Sequence, residues 1–91
     1  MKISTFDAAQ HLKTDEEIAV YLDEMLSEND PAMITHALGV IARAKGMTQL
    51  ARDTGVSREG LYKALSSDGN PEFSTVIKVI SALGLKLHAT A

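Results

Sequence analysis

Apolar residues along this chain recur at intervals of three and four positions, a spacing typical of helices that bury one face. This spacing predicts a helix from Asp15 to about Ser27, opened by a capping box between Thr14 and Glu17. It predicts a second helix from Ala32 to Lys45. The apolar faces of these two helices consist of Ile18, Tyr21, Leu22, Met25, Leu26, Ile34, Ala37, Leu38, Ile41 and Ala42.

Short polar segments separate the predicted helices. The run Asn29, Asp30, Pro31 interrupts the apolar pattern, because Asp30 can act as an N-cap and Pro31 suits the first helical position. Gly46 is expected to end the second helix. The residues from Ser66 to Pro71 have the composition of a loop, so no helix is predicted there.

The C-terminal part of the chain predicts one more helix and a short strand. Ser74 is expected to cap this helix, which stops at Gly84. Leu85 to Ala89 alternates apolar and polar residues and is a strand candidate, able to pair with a second candidate at Lys2 to Phe6 or with its own copy in a dimer. A small helix is predicted from Ala8 to Leu12. The apolar positions of the last long helix are Val76, Ile77, Val79, Ile80 and Leu83.

The stretch from Met47 to Leu65 has the pattern of a helix-turn-helix. A short amphipathic helix from Thr48 to Thr54 is followed by Gly55, and glycine can adopt the left-handed conformation that ends a helix without a Cβ clash. Ser57 is a good N-cap for a second helix. On that helix Leu61, Ala64 and Leu65 are expected to face inward. An ordinary helical hairpin shares this spacing and this turn glycine, and it is the alternative interpretation.

The side chains left outside by this arrangement have the chemistry that reads DNA. Arg58 can donate two hydrogen bonds to guanine, Glu59 can accept from cytosine N4, and Tyr62 and Lys63 can hold a phosphate or an adjacent base. A helix-turn-helix presents the N-terminal part of its second helix to the major groove. The predicted DNA-binding residues are Thr48, Gln49, Ser57, Arg58, Glu59, Tyr62 and Lys63.

Beyond this motif, the chain from Ala37 to Leu87 resembles the HigA-like antitoxins, the antidote proteins of type II toxin–antitoxin modules within the Xre-type helix-turn-helix superfamily. Three segments carry the resemblance, IARAKGMTQLARDTGVSREGLYKALS, GNPEFSTVIKVISALGLKL and the opening FDAAQHL, and together they cover nearly the whole chain. His11 departs from the family pattern, which often has an aromatic residue at that place. The resemblance implies an all-α fold containing a lambda-repressor-like helix-turn-helix domain. It also implies an antitoxin that neutralises a RelE/ParE/HigB-like toxin and represses its own operon.

Gly60 is unexpected inside a helix, because glycine there costs about 1 kcal/mol relative to alanine. Close approach of the helix backbone to DNA or to a neighbouring helix would explain it. A family pattern that tolerates glycine at this site would explain it equally well, and the sequence leaves both explanations open.

Charge divides the chain into two parts. Residues 1–30 carry eight acidic and two basic side chains, a net charge of −6, whereas residues 31–91 carry four acidic and seven basic ones, a net charge of +3. We expect an acidic helical extension over residues 1–30 and the DNA-binding domain over residues 31–91, each with its own partner. A chance difference between solvated helices is the alternative.

The acidic part is the candidate for a toxin contact. The toxins implied by the resemblance act on nucleic acid or nucleic-acid-bound machinery and are expected to be basic, so an acidic helix would attract them. The predicted toxin-binding residues are Tyr21, Asp23, Glu24 and Glu28. Alternatively, the apolar side of this helix is covered by the helix-turn-helix core.

Composition argues against several other classes of protein. The 91 residues suffice for one modest core, and the chain has no cysteine, no apolar run of membrane-spanning length and no signal-peptide pattern at its start. We therefore expect a cytoplasmic protein. His11, His36 and His88 form no metal-ligand pair on one helix, so no metal, cofactor or catalytic site is predicted.

Three functions remain in competition. The leading hypothesis is an antitoxin that binds operator DNA as a homodimer, because one helix-turn-helix contacts only a half-site. The second is a stand-alone transcriptional repressor with the same fold, and the third is a helical adaptor that binds only proteins.

Overall fold

The computed structural model describes residues 12–91, and these residues form five α-helices. The helices are α1 (Asp15–Ser27), α2 (Pro31–Lys45), α3 (Met47–Thr54), α4 (Arg58–Ala64) and α5 (Phe73–Ala82). No strand occurs among them, which confirms the all-α class. The strand candidate Lys2 to Phe6 lies outside the described residues, as does the predicted small helix Ala8 to Leu12 except for Leu12 itself.

The capping box predicted for α1 is present. The Thr14 hydroxyl accepts from the Glu17 amide at 3.1 Å, and the Glu17 carboxylate accepts from the Thr14 amide at 3.0 Å. The Lys13 amide donates to the same carboxylate, and these backbone hydrogen bonds hold the pKa of Glu17 below its usual value of 4.5. A depressed pKa means that this cap stabilises the fold above pH 4.5 and is lost as pH falls through the lower folded value.

The caps and turns also define α2, α3 and α4 close to their predicted bounds. The Asp30 carboxylate accepts from the Ala32 amide at 3.0 Å, and Pro31 is the first residue of α2. Gly55 ends α3 with φ of 75°, the left-handed region in which a Cβ would be strained. The Ser57 hydroxyl then caps α4 by accepting from the Gly60 amide at 2.9 Å.

One hydrophobic cluster connects all five helices. Its centre is α2, whose Leu38 and Ile41 are fully buried, and α4 contributes the fully buried Leu61. The helix α1 belongs to the same cluster through Ile18 and Leu22. The remaining members are Leu12, Ala37, Val40, Ala42, Met47, Leu50, Leu65, Val79, Ile80 and Leu83. Because one side of each helix packs in this core, any partner must bind to the exposed sides.

The C-terminal part differs from its prediction at the start of its helix. The N-cap of α5 is Glu72 rather than Ser74, since the extended backbone at Glu72 lets the helix begin at Phe73. Ile77 is 39% exposed because it lies beside the buried face. Leu85 to Ala89 has no regular secondary structure; its predicted partners, Lys2 to Phe6 and a second copy of the chain, are not among the described residues, so the pairing stays a prediction. The Leu85 amide donates to the Ile80 carbonyl at 3.1 Å and closes the end of α5.

Replacement of Leu61 tests this core directly. Leu61 is fully buried, so we expect Leu61→Ala to reduce the free energy of unfolding by about 2–5 kcal/mol, a large part of the stability of a small domain. Denaturant unfolding followed by circular dichroism measures the change. The exposed neighbour Lys63→Ala is the control and should change it by less than about 0.5 kcal/mol. Equal unfolding curves for wild type and Leu61→Ala would contradict this packing.

Candidate nucleic-acid interface

The outer side of α4 presents a continuous row of polar side chains. Burial of Leu61 leaves Arg58, Glu59, Tyr62 and Lys63 exposed, and Tyr62 has 46% of its surface accessible. Tyr62 is therefore not a core residue. As the apolar spacing predicts, the apolar side chains of this short helix face the core and its polar side chains face the solvent.

Arg58 is oriented by its neighbour one turn along the helix. Its guanidinium carbon lies over the Tyr62 ring, 5.6 Å from the centroid, a cation–π arrangement. A cation–π contact uses the charge of the guanidinium and consumes no N–H donor, so the N–H groups of Arg58 stay available for an acceptor on a partner. The i,i+4 spacing of the two residues could have predicted this pair from the sequence.

The backbone at the start of α4 explains Gly60. A Cβ on Gly60 would lie 2.9 Å from the Ser57 hydroxyl oxygen and 3.3 Å from Cγ1 of Val56. The first distance is too short, so a side chain here would push the capping hydroxyl away from the Gly60 amide. The glycine preserves the N-cap, a reason that neither sequence-based explanation included.

The start of α3 adds two exposed polar side chains, Thr48 and Gln49. The Gln49 side-chain nitrogen donates to the Asp53 carboxylate at 2.9 Å, again one helical turn away. One amide hydrogen and the carbonyl oxygen of Gln49 remain for other partners. Asp53 therefore orients the Gln49 amide without consuming its hydrogen-bonding capacity.

Arg43 on α2 is a basic residue near this surface that the sequence analysis did not select. Arg43 is exposed and lines a cleft of about 150 Å³ together with Tyr62 and Ser66. Arg43 precedes the motif in sequence, and only the packing of α2 beside α4 brings it to the same cleft as Tyr62. It adds a positive charge next to the outer side of α4.

The predicted toxin-binding residues lie on or next to α1. Asp23 and Glu24 are exposed on α1 and Glu28 is its exposed C-cap, whereas Tyr21 is partly buried against the core. Burial raises the pKa of Tyr21, and the nearby charge of Arg43 opposes this shift. Tyr21 therefore offers less free surface than the three carboxylates.

The described part of the chain contains no cluster of three or more histidine or acidic side chains suited to a metal ion. His36 and His88 are both exposed, and His11 lies outside the described residues. Among residues 12–91 no helix has the length and apolar character needed to cross a bilayer.

Comparison with known proteins finds a matching family and a similar protein. Residues 2–91 match the protein family described as "Probable addiction module antidote protein". A protein of Haemophilus influenzae (strain ATCC 51907 / DSM 11121 / KW20 / Rd), described as "Uncharacterized protein", is 56% identical over 87 residues, which cover 96% of this chain and 90% of that relative. No solved structure matches the chain.

A double-mutant cycle tests the role assigned to Gly60. Ser57→Ala should cost about 0.5–2 kcal/mol by removing the N-cap. In that background Gly60→Ala should recover about 1 kcal/mol, the ordinary preference of a helix for alanine. In the wild-type background the same change should bring little or no gain, because the new Cβ displaces the capping hydroxyl. Denaturant unfolding of the four proteins measures both steps, and an equal gain in the two backgrounds would disprove the explanation.

Proposed function

Since the chain belongs to the family of probable addiction module antidote proteins, we propose that it is an antitoxin that binds operator DNA and neutralises a protein toxin. The observation that supports DNA binding is the outer side of α4. Arg58, Tyr62 and Lys63 are exposed there, and Ser57 caps the start of the helix. In this proposal α3 and α4 are a helix-turn-helix, and the lambda-repressor-like arrangement of the domain stays a prediction.

The proposed contacts follow from the chemistry of each side chain. The helix α4 enters the major groove by its N-terminal part, where Arg58 donates two hydrogen bonds to the O6 and N7 atoms of a guanine. Glu59 accepts from a cytosine N4 group. Lys63 and Tyr62 hold phosphates, and Thr48, Gln49 and the hydroxyl hydrogen of Ser57 fix the position of the domain on the backbone.

Repression of its own operon requires more than one copy of this surface. A single helix α4 covers one half-site, so we propose a homodimer that reads a two-fold symmetric operator. The protein acts where the operon DNA is, in the cytoplasm. Its part in the module is binding rather than catalysis.

The toxin part of the proposal rests on charge. Residues 1–30 carry −6 and residues 31–91 carry +3, so we assign toxin binding to the first part and DNA binding to the second. A RelE/ParE/HigB-like toxin is expected to be basic and would be attracted to Asp23, Glu24 and Glu28. A stand-alone repressor would need no such partner. Gene neighbourhood separates the two, because a basic, toxin-sized reading frame beside the gene would favour the antitoxin.

Two substitutions on α4 test the DNA contact. Arg58→Ala should weaken binding to the operon's own promoter fragment by about 1–3 kcal/mol and relax its sequence preference, because a base contact is lost. Lys63→Ala should weaken binding to all sequences alike and lower the slope of log K against log salt by about one. Fluorescence anisotropy over a range of salt concentrations measures both effects.

The control for these variants is Lys78→Ala, which removes an exposed lysine from α5 and should leave operator affinity unchanged. Arg58→Lys keeps the charge and removes the planar fork, so it should lose sequence preference as Arg58→Ala does. Unchanged operator affinity in a folded protein that lacks both Arg58 and Lys63 would refute the proposed interface.

Charge reversal tests the toxin contact in the full-length chain, which is needed because Ile18 and Leu22 of α1 belong to the common core. Changing Asp23, Glu24 and Glu28 to lysine should slow association with the toxin, and the effect should be largest at low salt because salt screens exposed charges. Stopped-flow measurement gives the rate. Reversal of Asp68 and Glu72, outside α1, is the control. An unchanged rate in the triple variant would remove α1 from the toxin interface.

A further inference from the structure

One large apolar side chain on α1 points away from the core. Ile18 and Leu22 are buried on the inner side of the helix, whereas Val20 has 60% of its surface exposed. Only Phe73 exceeds this value among the large exposed hydrophobic residues of the described chain. An exposed valine is ordinary by itself, so its surroundings decide whether it has a role.

The neighbours of Val20 on its own helix are all acidic. The helix neighbours of a residue lie three and four positions away on either side, and for Val20 these are Glu16, Glu17, Asp23 and Glu24. All four are exposed, and none forms a salt bridge within residues 12–91, although the Glu17 carboxylate also accepts from the Lys13 and Thr14 amides. We call Val20 and these four carboxylates the Val20 face.

Grooves border the Val20 face on both sides. One, of about 400 Å³, lies between α1 and the C-terminal segment and includes Leu26 and Leu85. The other, of about 340 Å³, includes Leu12 and Tyr21. Val20 and Glu24 line both grooves, so the Val20 face is the ridge between two partly apolar depressions.

The negative charge of the Val20 face limits which kind of partner can bind there. Nucleic acid would be repelled by four carboxylates, and a second copy would place four carboxylates against four others. Lys86 is the one lysine or arginine lining either groove in the described chain, so most of the negative charge is uncompensated there. A segment rich in lysine and arginine that also carries an apolar side chain complements both properties of the face.

We propose that the Val20 face docks a basic segment of the toxin, with an apolar toxin side chain packed on Val20 and lysine or arginine side chains paired with the surrounding carboxylates. This inference rests on the proposed antitoxin function and goes beyond it by naming the centre of the interface and the chemistry of the segment that binds there. Val20 supplies the desolvated centre, and the carboxylates supply the polar rim that typical interfaces have.

The same substitution at two exposed apolar positions tests the proposal. Val20→Arg places a positive charge at the centre of the contact and should weaken toxin binding by about 30-fold or more, the effect of losing a central interface residue. Phe73→Arg is the control, since Phe73 is 71% exposed on α5, and it should leave toxin affinity unchanged. The probe is the purified product of the neighbouring gene, with binding measured by calorimetry and folding checked by circular dichroism.

A labelling experiment gives an independent readout of the same contact. The chain has no cysteine, so Val20→Cys and Phe73→Cys each provide a single site for an environment-sensitive fluorophore. Addition of the toxin should shift the emission of the label at position 20 to shorter wavelength and leave the label at position 73 unchanged. A shift at position 73 alone, or at neither position, would overturn the proposal.

The outcomes separate this inference from the proposed function. If wild type binds the toxin and folded Val20→Arg binds it equally well, the docking site is elsewhere while the antitoxin function stands. If wild type binds no toxin, both fail. If wild type is dimeric without toxin and Val20→Arg is monomeric by light scattering, the face joins two copies of this chain and the docking proposal is wrong.

Discussion

Burial of Leu61 and Leu65 in the cluster centred on α2 is the constraint on which the rest of this structure depends. The helix α4 has only seven residues, too few to be stable alone, so its packing determines both its existence and its orientation. Once Leu61 is inside, Arg58, Tyr62 and Lys63 must lie outside. The Ser57 cap and the glycine that accommodates it then define where the helix begins.

The features that could be predicted from the sequence are those determined by local chemistry. Thr14 with Glu17, and Asp30 before Pro31, mark helix starts because each cap is made by side chains within four residues. Ile77 is one of the apolar positions of α5 and is 39% exposed. A run of apolar residues does not show which of them faces the neighbouring helix. Whether Leu85 to Ala89 pairs as a strand likewise depends on a partner edge, which a local sequence pattern cannot supply.

The residues of the candidate sites also divide into those that the local sequence predicts and those that depend on tertiary packing. The exposed residues of α4 follow from the period of the helix once Leu61 is placed inside. The approach of Arg43 to the cleft beside Tyr62 depends on the packing of α2, and the contact between Gly60 and Ser57 depends on backbone geometry. The four acidic helix neighbours of Val20 can be read from the sequence, whereas its exposure depends on which side of α1 packs against the core.

We propose that one small chain uses two separate surfaces, the outer side of α4 for operator DNA and the outer side of α1 for the toxin. Amide chemical shifts of the isotope-labelled protein, recorded first with promoter DNA and then with toxin, test it most directly. We expect DNA to perturb residues 48–49 and 57–63 and to spare residues 16–24, and we expect toxin to perturb residues 16–24. Perturbation of the same residues by both partners, or no response of residues 57–63 to promoter DNA, would contradict it.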